Sequence, residues 1–355
     1  IVKTGSYKGV YMKVSAFYRN KAVLTLIAGG LVLMLLVCPV LCARETKGAD
    51  DFYPQERDPY AGNWTGRWSD DEDVDPDISA QVTATGRNKY TLRLASRLFM
   101  RCPVLAVMES RVKNGVLEFS DANYRVKIEN GVLTGGRSSG SSTFSMKPFI
   151  YENPGLGTPP PEGADVLFDG AGFDAFTGSE GWQIVGDAMM VMPGTEDLVS
   201  KNKYLDAQLH VEFRTPLQPT EKGQSRGNSG VFLQDTYEVQ VLDSFGLEGT
   251  YDECGALYKL SAPHVNACLP PGEWQSYDIR YTAARFSDDG TLLANPRITV
   301  YHNGILIHNY QELGWITGWK EKDRLQPPPR EAGSVKLQSH RNHYVQFRNV
   351  WIKAL

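Results

Sequence analysis

The sequence predicts an all-β protein: a β-sandwich of jelly-roll type with a smaller β unit on its N-terminal side. Three observations point there. Short runs of alternating apolar and polar residues recur along the chain, the period of strands with one dry face. Glycine (34) and proline (20) punctuate those runs, as many short antiparallel strands require. No long segment repeats its apolar residues every 3.6 positions, so amphipathic helices are not expected.

The length of 355 residues suits two domains. With 37 basic against 41 acidic residues the net charge is -4, which gives no electrostatic case for nucleic acid as a partner. The first segment reads as a targeting sequence. Lys13, Arg19 and Lys21 precede the apolar run 22–37, and Val40-Leu41-Cys42 is the candidate cleavage site. Residues 1–43 are a signal peptide, or a membrane anchor that would tether the chain. Met12 reads as the start, with 1–11 upstream of it. In either case the remainder is exported, to a periplasm or beyond.

The elements follow in order. Residues 44–60 are polar and read as a linker. A small β unit spans 61–150. In SAQVTATGRNKYTLRLAS the core positions are Val82, Ala84, Tyr90, Leu92 and Leu94, and GVLEFSDANYRVKIENGVLTGG gives further short strands around Asn-Gly turns. This unit carries no obvious chemistry. The linker 151–163 contains Pro-Pro-Pro and favours an extended backbone. The second unit, 164–355, holds at least seven strand-like runs, among them AQLHVEFRTP, SGVFLQ, YEVQVLD, QSYDIRYTA and PRITVYHNGILIHN. Asn303-Gly304 between two alternating runs is the strongest hairpin signal. Seven or more short strands in such a span favour a sandwich. One curved sheet can then offer a polar face as a groove.

Export decides the reading of the cysteines. Cys38 and Cys42 lie in the leader, and Cys254 and Cys268 are fourteen residues apart. In an oxidising compartment they are expected to form a disulfide, worth about 3 kcal/mol on the chain-entropy estimate. Cys102 is left over. No Cys/His cluster suggests structural zinc.

The polar sides of two strands carry candidate chemistry. Leu209, Val211 and Phe213 face the core, so His210, Glu212 and Arg214 point outward. Val239 and Val241 face the core, and Glu238 and Gln240 face the other way. Asp243 joins that face only if a bulge near Leu242 absorbs one residue. The spacing E-x-Q-x-x-D is similar to the E-x-D-x-x-E strand of jelly-roll glucanases, whose two carboxylates flank the scissile bond. Positions two apart on a strand stand about 6.6 Å apart, so such a row can line one sugar ring. Gln240 at the middle position speaks against the glucanase mechanism and leaves the sugar groove.

The wider pattern is more specific. ADVLFDG, LHVEFRTP, RGNSGVFLQ, YEVQVLDSFG, CGALYKLSAPHVNACLPPGEWQSYDI and LQSHRNHYVQFRNVWI, in this order, resemble the 3-keto-disaccharide hydrolase family over 164–355. GNWTGRW and the Pro-rich junction resemble the small β domain often found before that module. The resemblance implies a concanavalin A-like sandwich, export, and action on 3-keto-glycosides. The family commonly has LQDHG where this chain has LQSHR, so Ser339 and Arg341 replace an acid and a glycine.

A ketone at C3 acidifies the hydrogen at C2. A base removes that hydrogen, the enolate expels the C1 substituent, and water adds back, for net hydrolysis. Such a site needs a base, an acid for the leaving oxygen, and a cation or donor near the enolate oxygen. The expected roles are Glu238 as base and His340 as acid or its partner, with Arg226 or Lys259 at the enolate oxygen. Asn228, Gln240, Asp243 and Tyr258 would hold hydroxyls, and His210 and Glu212 have the parity to join the groove. His302, His308 and His343 read as structural. Trp274, Trp315 and Trp319 are candidates to stack on a sugar. No organic cofactor is expected. A divalent metal on His210, Glu212 or His340 is possible chemistry, but the spacing names no metal. Two other readings stay open: a lectin-like module without catalysis, and an ordinary jelly-roll glycosidase.

Overall fold

The computed structural model describes residues 52–54, 56–69, 76–341 and 343–355. The expected leader 1–43, with its cleavage site and cysteines, lies outside the described residues. No helix among them is long and apolar enough to cross a membrane.

Residues 62–149 form one antiparallel sheet of eight strands. Two four-stranded meanders are joined through Gly62–Trp68 and Thr143–Phe149. Strand Lys89–Ala95 alternates between buried and half-buried positions along its whole length, as its sequence predicts. Val82, Ala84, Tyr90, Leu92 and Leu94 all enter the core, with Trp64, Leu117 and Phe144.

Residues 165–354 form a sandwich of two sheets. One has five strands, in the order Phe176–Thr177, Leu198–Tyr204, Gly333–Leu337, Ser229–Leu233, Tyr237–Val241. The other runs Gln183–Val185, Ala188–Met190, Gln346–Ala354, Ala207–Arg214, Gln275–Thr282, Arg297–His302, Ile305–Glu312, with Asp165–Phe168 pairing onto Gln346–Ala354. Their inner faces share one core, in which Val211 and Phe213 of one sheet join Val239 and Val241 of the other. The hairpin expected at Asn303-Gly304 forms. His302 pairs with Ile305, and the two turn residues have φ of 55° and 75°, the left-handed pair that a type I′ turn requires. Among the described residues helix is confined to short turns such as Glu321–Arg324.

The five-stranded sheet decides where the candidate chemistry can gather. Tyr237–Val241 is its edge strand. An open edge would leave unpaired backbone groups. Here the following loop covers it: Gln240 N–H donates to Ala256 O at 2.9 Å, and Tyr258 N–H donates to Glu238 O at 3.1 Å. A second loop adds Thr317, whose Oγ1 accepts from Glu238 N–H at 2.9 Å. These loops wall in the outer face of the edge strand, and all five of its residues are buried.

The two cysteines of the expected pair lie side by side. Cys254 and Cys268 are free thiols buried in the sandwich core. Cys254 Sγ lies 3.3 Å from Tyr277 Oη, and Cys268 Sγ contacts the carbonyls of Leu242 and Leu269 at 3.7 and 3.5 Å. The two thiols also hydrogen-bond each other. The loop between them is held by packing and backbone bonds, without a covalent bridge. Burial pushes the Cys268 thiol well above its ordinary value.

Candidate active site

The outer face of the five-stranded sheet floors a cleft of ≈ 470 Å³. Strand pairing explains which residues reach it. Glu238 sits opposite Phe232, and Gln240 opposite Gly230. Phe232 in turn pairs with Lys336, two positions before Gln338. Side chains alternate between faces, so Phe232, Glu238, Gln240, Gln338 and, just beyond the strand, His340 share the side away from the core. Gln224, Ser225 and Asn228 enter from the segment before Ser229–Leu233, Tyr258 from the edge-covering loop, and Trp319 from the loop after Ile305–Glu312. Six expected residues therefore meet in one place: Glu238, His340, Asn228, Gln240, Tyr258 and Trp319.

The floor is polar and partly satisfied. Gln224 Oε1 accepts from Asn228 Nδ2 and from Gln240 Nε2, both at 3.0 Å. Gln240 Oε1 and His340 Nδ1 are buried and have no partner. The Glu238 carboxyl has only 5% exposure. Burial pushes it up to about 8, against the pull of Lys336 and with a further push from Asp197. The ring of His340 is moved the opposite way. Burial lowers its proton affinity, and the neighbouring Arg341 lowers it further. Tyr258 is pushed up to about 12 by burial and by the Glu238 charge. Near neutral pH the cleft therefore holds a largely protonated carboxyl and a neutral imidazole.

Ser339, which stands where the resembling motif has an acid, is itself held by an acid. Asp197 Oδ1 accepts from Ser339 N–H at 2.8 Å, and Ser339 Oγ pairs with Thr195 Oγ1 at 2.7 Å. The Asp197 charge acts on both Glu238 and His340.

Other expected residues lie elsewhere. Asp243 does not join the row by a bulge. The strand ends at Val241, and Asp243 turns into the interior, where its carboxylate accepts from Arg226 Nε at 2.5 Å. Arg226 Nη1 donates to Ala84 O of the N-terminal sheet at 3.2 Å, so the pair ties the two sheet systems together and does not line the cleft. Asp243 is driven up by burial even with Arg226 beside it. Lys259 stays at the rim, bonded to Asp252 at 2.6 Å and 5.6 Å from the Trp319 ring.

His210 and Glu212 belong to the other sheet and clamp the Pro-rich linker on its outer face. Gly157 N–H donates to Glu212 Oε1 at 2.6 Å, Arg348 Nε to Oε2 at 2.7 Å, and Asn349 Nδ2 to Oε1 at 2.9 Å. Asn349 and Trp351 also donate to Thr158 O. His210 Nδ1 meets Asp278 Oδ1 at 2.7 Å. Burial opposes charge on Glu212, but these donors win and hold it at about 2. Burial likewise opposes charge on His210, and Asp278 and Glu212 reverse it, raising the imidazole. Right parity on the wrong sheet misplaced these residues. Trp274 lies beside Arg214 and Arg348 and does not line the cleft. His302 and His308 are buried and bonded to Gln275 and Gly255 O.

Sequence reasoning passed over Gln224, Ser225, Phe232 and Gln338, and named Arg341 only as a departure from the family motif. Phe232 and Gln338 carried a legible signal, the alternation along their own strands. Gln224, Ser225 and Arg341 sit in turns, where alternation says nothing. Among the described residues no group of three or more His, Cys, Asp or Glu side chains is placed to hold a metal ion.

Comparison with known proteins adds to this geometry. Residues 163–353 match the family described as 3-keto-alpha-glucoside-1,2-lyase-like domain. A solved "putative glycosyl hydrolase" from Parabacteroides distasonis ATCC 8503 is 36% identical, with a TM-score of 0.52, over 58% of this chain and 94% of that one. Two more structures of the same description and organism are 23% and 22% identical, with TM-scores of 0.39, over 55% and 54% of this chain and 94% and 99% of theirs. No curated protein matches the chain.

Proposed function

From the premise that this chain belongs to the 3-keto-alpha-glucoside-1,2-lyase-like, glycosyl hydrolase-like family, we propose that it cleaves 3-keto-glycosides by elimination and hydration. The supporting observation is the opposed tuning of two groups lining one cleft. Burial drives Glu238 up to about 8, while burial and Arg341 drive His340 down. Groups pushed apart in this way sort into acid and base. In this reading the roles are the reverse of those expected from sequence, with His340 as the base and Glu238 as the acid.

The steps balance as follows. Neutral His340 takes the proton from C2, and the C2–H electrons flow into an enolate on the C3 oxygen. The enolate collapses, the C1–O bond breaks, and its electron pair leaves on the aglycone oxygen. Glu238 gives that oxygen its proton. Water then adds across C1=C2, with hydroxyl to C1 and hydrogen to C2. Gln240 Oε1, buried without a partner, is an acceptor for a sugar hydroxyl, and Trp319 offers a stacking face at the mouth. The apolar run 22–37 supports action outside the cytoplasm as part of this reading.

Exchange in heavy water separates the two roles. Glu238→Gln is expected to keep deuterium incorporation at C2 of a 3-keto-glucoside and to lose cleavage by a factor on the order of 10²–10⁴. A 4-nitrophenyl leaving group, which needs no protonation, should restore most of it. His340→Ala should lose both exchange and cleavage. Loss of exchange in Glu238→Gln would return the base role to Glu238, and a wild type inert on every 3-keto-glycoside would end the reading.

A further inference from the structure

We propose that the cleft is built for a 3-keto-glycoside carrying an anionic substituent on its sugar ring, a carboxylate or a sulfate, held by Arg341. The keto group rests on the reading above; the anionic substituent rests on separate observations.

Arg341 lines the cleft beside Glu238, Gln240 and His340. No described residue is bonded to its guanidinium. The other cations near the cleft are all engaged. Lys336 bridges to Asp235 at 3.0 Å and Asp197 at 3.8 Å, and Lys259 to Asp252 at 2.6 Å. Arg324, whose charge reaches Tyr258, donates to the carbonyls of Gly318 and Trp319, so among these cations Arg341 alone has a guanidinium with no described partner, in a protein whose net charge is -4.

The backbone at this position favours a different residue. Arg341 has φ of 52°, in the left-handed region that glycine enters without penalty and that other residues resist. The charge of Arg341 is also felt within the site, since it lowers the proton affinity of both His340 and His343. The Nδ1 atoms of both rings are buried and unpartnered. A planar fork of N–H donors with no partner matches a carboxylate or sulfate oxygen set. Trp319 is 68% exposed and lines the same cleft, so a ring stacked on it has one edge free for the cation.

Three matched 3-keto-glucosides test this: one neutral, one with a C5 carboxylate (the uronide), one with a 6-sulfate. At low salt the wild type is expected to favour an anionic substrate over the neutral one by about 10- to 100-fold in kcat/KM, the usual worth of a charge-assisted hydrogen bond. Added salt should shrink that ratio. Whichever of carboxylate or sulfate is preferred names the substituent. Arg341→Gly suits the left-handed backbone and should bring the ratio to about one, with Arg341→Lys between. A wild-type ratio of one or less would overturn the proposal. So would an equal loss on all three substrates in Arg341→Gly, which would make the arginine a stabiliser of the reaction itself. If the wild type cleaves none of them, the catalytic reading falls, and tryptophan fluorescence titrated with methyl glucuronide, methyl glucoside 6-sulfate and methyl glucoside decides the inference separately. An anion preference lost in Arg341→Gly keeps it; equal binding of the three ends it.

Discussion

The carboxyl of Glu238 lies directly over Gly230 on the neighbouring strand: a Cβ at position 230 would stand 2.4 Å from Glu238 Oε1 and 2.9 Å from the Phe232 ring. Glycine at 230 is what lets the carboxyl rest against the sheet. Gly230→Ala should push it toward the cleft mouth. The closest clash is with the end of a flexible side chain and the Phe232 ring must give by a few tenths of an ångström, so the fold should survive. Turnover is expected to fall at least about tenfold, because acid catalysis depends on hydrogen-bond reach. Steady-state kinetics beside a thermal melt would check this, and unchanged kcat would refute it.

The pH profile of kcat/KM is expected to be bell-shaped. Its acid limb lies below the ordinary histidine value, where His340 becomes protonated. Its alkaline limb lies near 8, where Glu238 ionises. In Glu238→Gln the alkaline limb should disappear from whatever activity remains on a 4-nitrophenyl substrate. Persistence of that limb would assign it to another group.

Stability should follow the same carboxyl. Its folded value is raised, so the folded state holds the proton more tightly than the unfolded chain. The associated stability is full below the ordinary glutamate value of 4.5 and is lost as pH rises to about 8. Glu238→Gln escapes that loss. Its unfolding free energy relative to wild type should therefore rise between pH 4 and 9, by roughly 5 kcal/mol at most. Urea titrations at the two pH values measure the difference, and a flat difference would mean that the carboxyl is not buried.

Glu212 has the opposite sign and a structural role. Held at about 2, it contributes stability above the ordinary glutamate value that is lost as pH falls toward 2. Glu212→Ala leaves His210 and Arg348 without their shared partner and should cost about 3–5 kcal/mol. Limited proteolysis should then cut near residues 155–160. Cleavage activity of the protein that remains folded should be retained. Stable protein with abolished activity would instead put Glu212 in the catalytic site.

Peptide mapping addresses the thiols. Alkylation of unfolded protein without reductant should recover the Cys254 and Cys268 peptides separately, each alkylated. In the native state both should be protected by burial, while Cys102, half-exposed, reacts. A linked pair of peptides would restore the disulfide.

Much of this molecule was determined by sequence alone. Alternation along 89–95, 207–214 and 237–241 assigned strands and inward faces, because burial on one face of a pleated strand imposes a period of two whatever lies beyond it. Asn303-Gly304 specified a hairpin through backbone conformation, also a local property. Glu238, Gln240, Asn228, Tyr258 and His340 could be named for the same reason and from the motif that carries them. Tertiary structure decided which strands became neighbours. The parity of His210 and Glu212 resembles that of Glu238, yet they lie on the opposite sheet, holding the linker. Alternation records which side of a strand is dry and does not record which sheet the strand joins. Asp243 and Arg226 found each other across a turn, where alternation stops. The proton affinities of Glu238 and His340 were not legible, since burial shifts them, and how deeply the loops cover the two side chains is a property of the assembled fold.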